Sequence, residues 1–291
     1  MTRLTRRLFT LLIVVSALAL GALPMVALAA TQPRLGTATN FAVLAGSAIT
    51  NTGPTVITGN LGLSPGTAVT GFPPGRVAAQ THKTDAVALG AKNSLVTAYN
   101  DLASWATTRS MTGQDLGGKT LTPGVYTFSS SAQLTGTLTL SGNGIFIFRT
   151  GSTLTTASNS RVLVTNGANG CGVYWKVGSS ATLGSGTQFK GTIIALTSIT
   201  MVTGASILPG RALARNGAVT LDSNRISIPT GGCSATGTTG TATTSTGTTG
   251  TLAQTGGGPP QGRSPSSMLL LIAGLATVGF GLSVRAQRRR G

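Results

Sequence analysis

From about residue 40 onward the chain is written in short apolar or threonine-rich runs, each broken by glycine within a few residues. NFAVLAGSAITNTG, TVITGNLGL, GTLTLSGNGIFIF, RVLVTNGA, GTIIALTSITM and RNGAVTL are the clearest of them. β-Branched and aromatic residues with turn formers at short intervals predict strands. The string TLTTASN at 153–159 recurs in weaker form as TLGSGTQ at 182–188, TMVTGAS at 200–206 and TLDSNRI at 220–226, at spacings of 29, 18 and 20 residues. Recurrence at about 18 to 20 residues is what a parallel β-helix gives, one period per coil, with each coil covering the apolar side of the last. A β-sandwich also uses such strands, but it does not require the same string to return. The stretch 77–106 breaks the pattern: Val87, Leu95, Tyr99 and Leu102, with alanines between them, recur at helical spacing. It predicts one amphipathic helix of roughly seven turns or more, lying along the solenoid and covering one apolar side.

Composition agrees with a tightly turning β-structure. Four acidic residues, none of them Glu, face 21 Lys and Arg, and Gly numbers 42 in 291 residues. A helical globular surface would carry more Lys and Glu. Removing the eight arginines of the two ends (Arg3, Arg6, Arg7, Arg263, Arg285, Arg288, Arg289, Arg290) leaves 13 basic side chains against 4 acidic ones. That excess could attract anionic polymers. The arginines are scattered singly, however, without interleaved aromatics, so solvated surface charge is expected and nucleic acid is not.

The ends have their own signals. Three arginines, an apolar run from Leu8 and Ala27-Leu28-Ala29 read as a secretory signal peptide over 1–29. A folded domain at 30–230 follows, then a Thr/Gly-rich flexible linker at 231–251. At 252–256 stands LAQTG, then a Gly/Pro spacer, an apolar run at 268–284 just long enough to cross a membrane, and an arginine tail. This order resembles the sorting signal of sortase-anchored surface proteins of Gram-positive bacteria, the LAxTG form that of high-GC actinobacteria. The resemblance implies cleavage between Thr255 and Gly256 by a sortase, joining of Thr255 to peptidoglycan, and a membrane-held state before processing. A simple single-pass tail is the alternative, with the same topology. Two cysteines, Cys171 and Cys233, in an exported chain most simply form one disulfide that ties the last segment to the body.

LGTATNFAVLAGSAITNTGPTVITGNLGLSPGTAVTGF, LGGKTLTPGVYTF, VYWKVGSSATLGSGTQFKGTIIALTSIT and GRALARNGAVTLDSNRI resemble, segment after segment, the bacterial and fungal ice-binding proteins of the discontinuous β-helix family. The likeness spans Leu35 to Ile228, helix included. It implies a mainly β fold, a right-handed parallel β-helix of triangular section with one long helix alongside, and a monomer that adsorbs to ice and its ordered water through one flat face. Many members carry T-A/G-x-T/N on that face. Thr156-Ala157-Ser158-Asn159 fits fully, Thr203-Gly204-Ala205-Ser206 fits except at its last place, and Ser185-Gly186-Thr187-Gln188 is degenerate at both ends. Ser223-Asn224-Arg225 departs further. With a corner placed near Thr155, the side chains of Thr156, Ser158, Ser185, Thr187 and Thr203 point outward and Ala157 inward. Asn159, Ala205 and Ser223 complete the expected face. The departures imply weak to moderate activity.

Two other functions compete. Secreted β-helices include polysaccharide-degrading enzymes, which need converging carboxylates. Here Asp85 and Asp101 fall on the predicted helix, Asp115 and Asp222 stand apart, and His82 has no Ser-His-Asp order around it, so no catalytic residue is expected. No metal or cofactor is expected either. Tyr174 and Trp175 read as packing residues rather than a sugar platform. An adhesin or structural wall protein on the same scaffold differs from an ice binder in ligand, not in architecture.

Overall fold

The computed structural model describes residues 32–230. They form one compact unit. The signal at 1–29, the linker, the LAQTG motif, the apolar run 268–284 and Cys233 all lie outside the described residues. Among the described residues, no helix is long and apolar enough to cross a membrane.

Strand ladders among the described residues are all parallel, and their order gives a solenoid with three faces. One face stacks the strands Ala132–Leu134, Leu154–Thr156, Ala181–Leu183, Ile199–Met201, Val219–Asp222, Ala48–Thr52 and Ala68–Thr70, in that spatial order. A second runs through Gly124–Phe128, Phe146–Thr150, Val173–Val177 and Phe41–Ala45, and the helix covers it. The third carries Thr137–Ser141, Arg161–Thr165, Arg225–Ser227 and Val56–Thr58. Gln188–Ala195 and Ser206–Ala214 are long enough to turn the corner, so they serve both the second and the third face. The period of the recurring strings is therefore one circuit of three faces.

The spatial order is not the chain order. Val219–Asp222 of the last coil pairs with Ala48–Thr52 of the first, so the first and last coils meet in mid-stack. After Ala68–Lys83 completes one end of the stack, the chain must reach the other end before it can continue. The helix α1, Ala86–Ser104, makes that crossing with 19 residues. At about 1.5 Å per residue it rises about 28 Å, while the stack it passes, at about 4.8 Å per ladder step, is roughly 38 Å long. Residues 84–85 and 105–108 supply the remainder.

α1 is shorter than the periodicity suggests, a little over five turns rather than seven. Val77 and Thr81 belong to strands, in register with Ile57 and Leu61, so the solenoid keeps residues that helical spacing had claimed. The helix starts where Asp85 caps it: its Oδ1 accepts from the Ala88 amide at 2.7 Å. His82 Nδ1 lies 2.8 Å from the other carboxylate oxygen. Ala88, Ala91, Lys92, Leu95, Ala98, Tyr99 and Leu102 form the buried stripe, whereas Val87 is exposed. That stripe closes over Leu44, Ile147, Tyr174, Ile194 and Leu213 of the second face.

Inside the solenoid, Tyr126, Phe148, Trp175 and Phe189 stack with ring centroids 5.4, 4.0 and 4.8 Å apart. Tyr174 and Trp175 are both buried, one toward the helix and one into the core, as packing residues. Cations pin the helix. Lys92 Nζ, reaching under α1, donates to the Ala214 carbonyl at 2.7 Å and to that of Arg215. Arg149 reaches the Ala103 carbonyl and Thr107, and Arg211 holds the Thr39 carbonyl through two nitrogens. Cys171 is not a free thiol.

Burial, with Arg215 nearby, lowers the Lys92 amine to about 8 from the 10.5 of a solvated lysine. Between those values the unfolded chain holds a proton that the folded chain lacks. Raising the pH through that window therefore raises stability. The urea midpoint of the wild-type chain is expected to climb from pH 8 to 10, and Lys92→Met to flatten that climb. An unchanged slope in the variant would show that Lys92 is not the group responsible.

Candidate functional site: the threonine sheet

Strand pairing sets which side chains share a column. On the first face Gln133 pairs with Thr155, Thr155 with Thr182, Thr182 with Thr200, Thr200 with Thr220, Thr220 with Thr50, and Thr50 with Thr70. Six threonines thus occupy six consecutive coils at one position, about 4.8 Å from coil to coil. All six are exposed or half-exposed. The residues on either side along each strand point the other way. Leu154, Ala181, Ile199, Val219 and Ile49 form one buried column, and Leu183, Met201 and Leu221 part of another. Packing of those columns holds the threonines in line.

The hydroxyls of this ladder face water. Thr50 Oγ1 approaches Thr220 Oγ1 at 3.4 Å, and no other ladder hydroxyl has a hydrogen-bond partner among the described residues. A β-branched side chain on a strand has few rotamers, so hydroxyl and methyl positions repeat as well. Neighbouring outward positions are mostly small: Thr153, Ser180, Ser198 and Ala48 before the ladder, Ala157 and Gly184 after it. Asp222 is the charged residue of these strands, and it sits at the rim. Its carboxylate accepts from the hydroxyls of Thr203 and Ser223.

The residues expected from the T-A/G-x-T/N strings fall elsewhere. Ser158, Asn159, Ser185, Thr203 and Ser223 lie in the corner between this sheet and the third face, not on a strand. Asn159, Gly186, Gly204 and Ser223 take left-handed backbone there, with φ of 60°, 66°, 71° and 55°. Glycine and asparagine suit that conformation, which explains the strings as corner formers. Thr156 and Thr187, expected outward, are 3% and 0% exposed. Their hydroxyls bond each other at 2.8 Å, and Thr156 Oγ1 also accepts from the Gly184 amide at 2.9 Å. Ala205 is buried too, and Ala157, expected inward, is exposed. The turn leaves backbone groups without ladder partners, and small polar side chains satisfy them from within. Arg225 is in register with Ser206 on the third face and so does not interrupt the threonine sheet.

The ladder has a signal in the sequence: an apolar residue followed by threonine at 49–50, 69–70, 154–155, 181–182, 199–200 and 219–220. Its members at 50 and 70 come from the first coils, which the strings between 153 and 226 do not include.

Other candidate chemistry is taken up structurally. Asp85 caps α1, its carboxyl held below the ordinary value by the Ala88 amide and then by His82. Asp115 accepts from the amides of Gly117 and Thr135 at a turn. Among the described residues no three His, Cys, Asp or Glu side chains gather as a metal set.

A protein family described as Ice-binding-like matches residues 43–227. An ice-binding protein of Nostoc sp. (strain HG1) is 58% identical over 203 residues, 68% of this chain and 75% of that one. An ice-binding protein of Flavobacterium frigoris (strain PS1) is 35% identical, over 67% and 76%. The crystal structure of an ice binding protein from an Antarctic biological consortium superposes with a TM-score of 0.67 at 47% identity, covering 72% of this chain and 97% of that one. With more than half its length matched and two-thirds shared with a relative of high identity, the chain belongs to the ice-binding family.

Proposed function

We propose that this protein adsorbs to ice through the threonine sheet, with Thr50, Thr70, Thr155, Thr182, Thr200 and Thr220 as its central rank. The carrying observation is the unbroken register of six outward threonines on a sheet whose one charged residue is paired at the rim. A charged side chain holds a mobile hydration shell of its own. A threonine hydroxyl anchors one water while its methyl binds none tightly. A stiff rank repeating about every 4.8 Å therefore holds its first water layer in a regular row, which a growing crystal can incorporate. The ice-binding relatives support the same ligand. The departures of Ser185, Gln188 and Arg225 from the family string, which had suggested weak to moderate activity, fall off this sheet and give no reason for weakness.

The surroundings of the domain complete the proposal. The N-terminal apolar segment supports export, and LAQTG with its following apolar run and arginines supports attachment at Thr255 to peptidoglycan by a sortase after a membrane-held stage. Such a chain would act outside the cell, as a monomeric surface-held ice binder that inhibits recrystallisation.

Two substitutions test the face. Thr200→Tyr, in the middle of the ladder, is expected to weaken ice adsorption at least about tenfold, as removing roughly 1.4 kcal/mol at an interface centre does, and so to reduce thermal hysteresis, with the melting curve unchanged. Undiminished hysteresis in a folded Thr200→Tyr chain would refute the face. Thr156→Val leaves the Gly184 amide short of its buried partner, while the Thr187 hydroxyl keeps the Ala157 carbonyl. It should cost about 1–3 kcal/mol in urea unfolding. Its ice adsorption per folded molecule should remain that of wild type, whereas a selective loss of adsorption would return Thr156 to the site.

A further inference from the structure

The third face differs from the other two in its charge. Register places Thr137, Arg161, Gln188, Ser206, Arg225, Val56 and Arg76 in one outward column. Arg161, Arg225 and Arg76 are exposed, and none of their guanidinium groups has a hydrogen-bond or ion-pair partner among the described residues, where His82 with Asp85 is the one ion pair. This sets them apart from Arg149 and Arg211, which hold backbone carbonyls under the helix. At about 4.8 Å per step, Arg161 and Arg225 stand about 14 Å apart and Arg225 and Arg76 about 10 Å, in a line along the solenoid axis. Lys190, beside that line, lends its charge while its Nζ donates to the Leu208 carbonyl at 2.8 Å. A shallow groove runs between Arg161, Gln188, Lys190 and Arg225. The chain's four carboxylates are elsewhere: Asp85 and Asp101 at the helix, Asp115 at a turn, and Asp222 paired at the corner.

We propose that this arginine column binds an extended phosphate-bearing polyanion lying along the solenoid axis. Three facts of the face select that occupant. Guanidinium forks match phosphate oxygens in pairs, which ammonium groups do not. Gln188 stands between Arg161 and Arg225, and Thr137 one step beyond Arg161, as neutral donors for the same chain. The column is linear and uninterrupted by acid, so a polymer spanning about 24 Å meets all three cations while a single phosphate meets one. Nucleic acid fits less well, because the aromatic of this groove, Phe189, is buried and offers no stacking surface. The proposal is independent of ice adsorption, since it uses the opposite side of the corner from the threonine sheet.

The test is inorganic polyphosphate of about 20 units, titrated into the full chain at several salt concentrations. Expected is saturable binding whose log–log salt slope is roughly −2, about 0.7 for each of three contacts. Arg76→Gln/Arg161→Gln/Arg225→Gln should weaken binding at least about tenfold and flatten the slope, with ice adsorption unchanged as the check on folding. Should that triple variant fail to fold, Arg161→Gln/Arg225→Gln gives the same reading at a smaller size. Equal binding by the variants would assign the binding to cations outside this column and overturn the proposal. So would competition by orthophosphate at equal phosphate concentration, or tighter binding of single-stranded DNA.

Discussion

Parallel register is the constraint on which everything else rests. In a parallel stack each coil presents the same position directly above its neighbour's, so whatever one coil places outward is repeated along the axis at the strand spacing. The threonine ladder and the arginine column are two readings of that rule on different faces. Register in turn depends on the buried columns, Leu154 with Ala181, Ile199, Val219 and Ile49, because a slip of one residue would turn every threonine into the core. The aromatic stack of Tyr126, Phe148, Trp175 and Phe189 packs in the same core and adds a second in-line column to it.

The three faces divide the chain's few charges by task. On the helix-covered face, Lys92 and Arg149 direct their donors at backbone carbonyls and so fasten α1, the segment that returns the chain to the far end of the stack, while Arg211 holds the turn Gly36–Asn40 through the Thr39 carbonyl. On the third face the arginines are left to solvent. The threonine sheet carries none of these cations, which suits the ice adsorption proposed for it, since a mobile hydration shell would break the row. A high positive charge and a face free of cations are compatible because the solenoid sets its surfaces on different sides.

Much of this was legible beforehand. Glycine-broken threonine and valine runs that return at a steady interval announce a solenoid, and the Leu95, Tyr99, Leu102 spacing announces the helix. The phase of the threonine face was not legible. Threonine is equally at home outside, where it meets water, and inside a corner, where Thr156 and Thr187 satisfy each other and a backbone amide. Placing the corner near Thr155 rather than at 157–160 inverts the alternation, so one small displacement moved Thr156 outward and hid Thr155. Helical spacing likewise overran into 77–83, because Val77 and Thr81 pair with Ile57 and Leu61, a full coil earlier in the chain, a partnership that no local window contains.

Blocking one face at a time tests the central claim most directly. Cysteine placed at Thr182 or at Gln188 and coupled to a bulky maleimide covers the threonine sheet or the third face, respectively, and partition of each labelled chain into a slowly growing ice crystal is then measured. Exclusion of the chain labelled at 182, with normal uptake of the chain labelled at 188, is the expected result. Uptake of the chain labelled at 182, or exclusion of the chain labelled at 188, would place ice adsorption on a surface other than the threonine ladder.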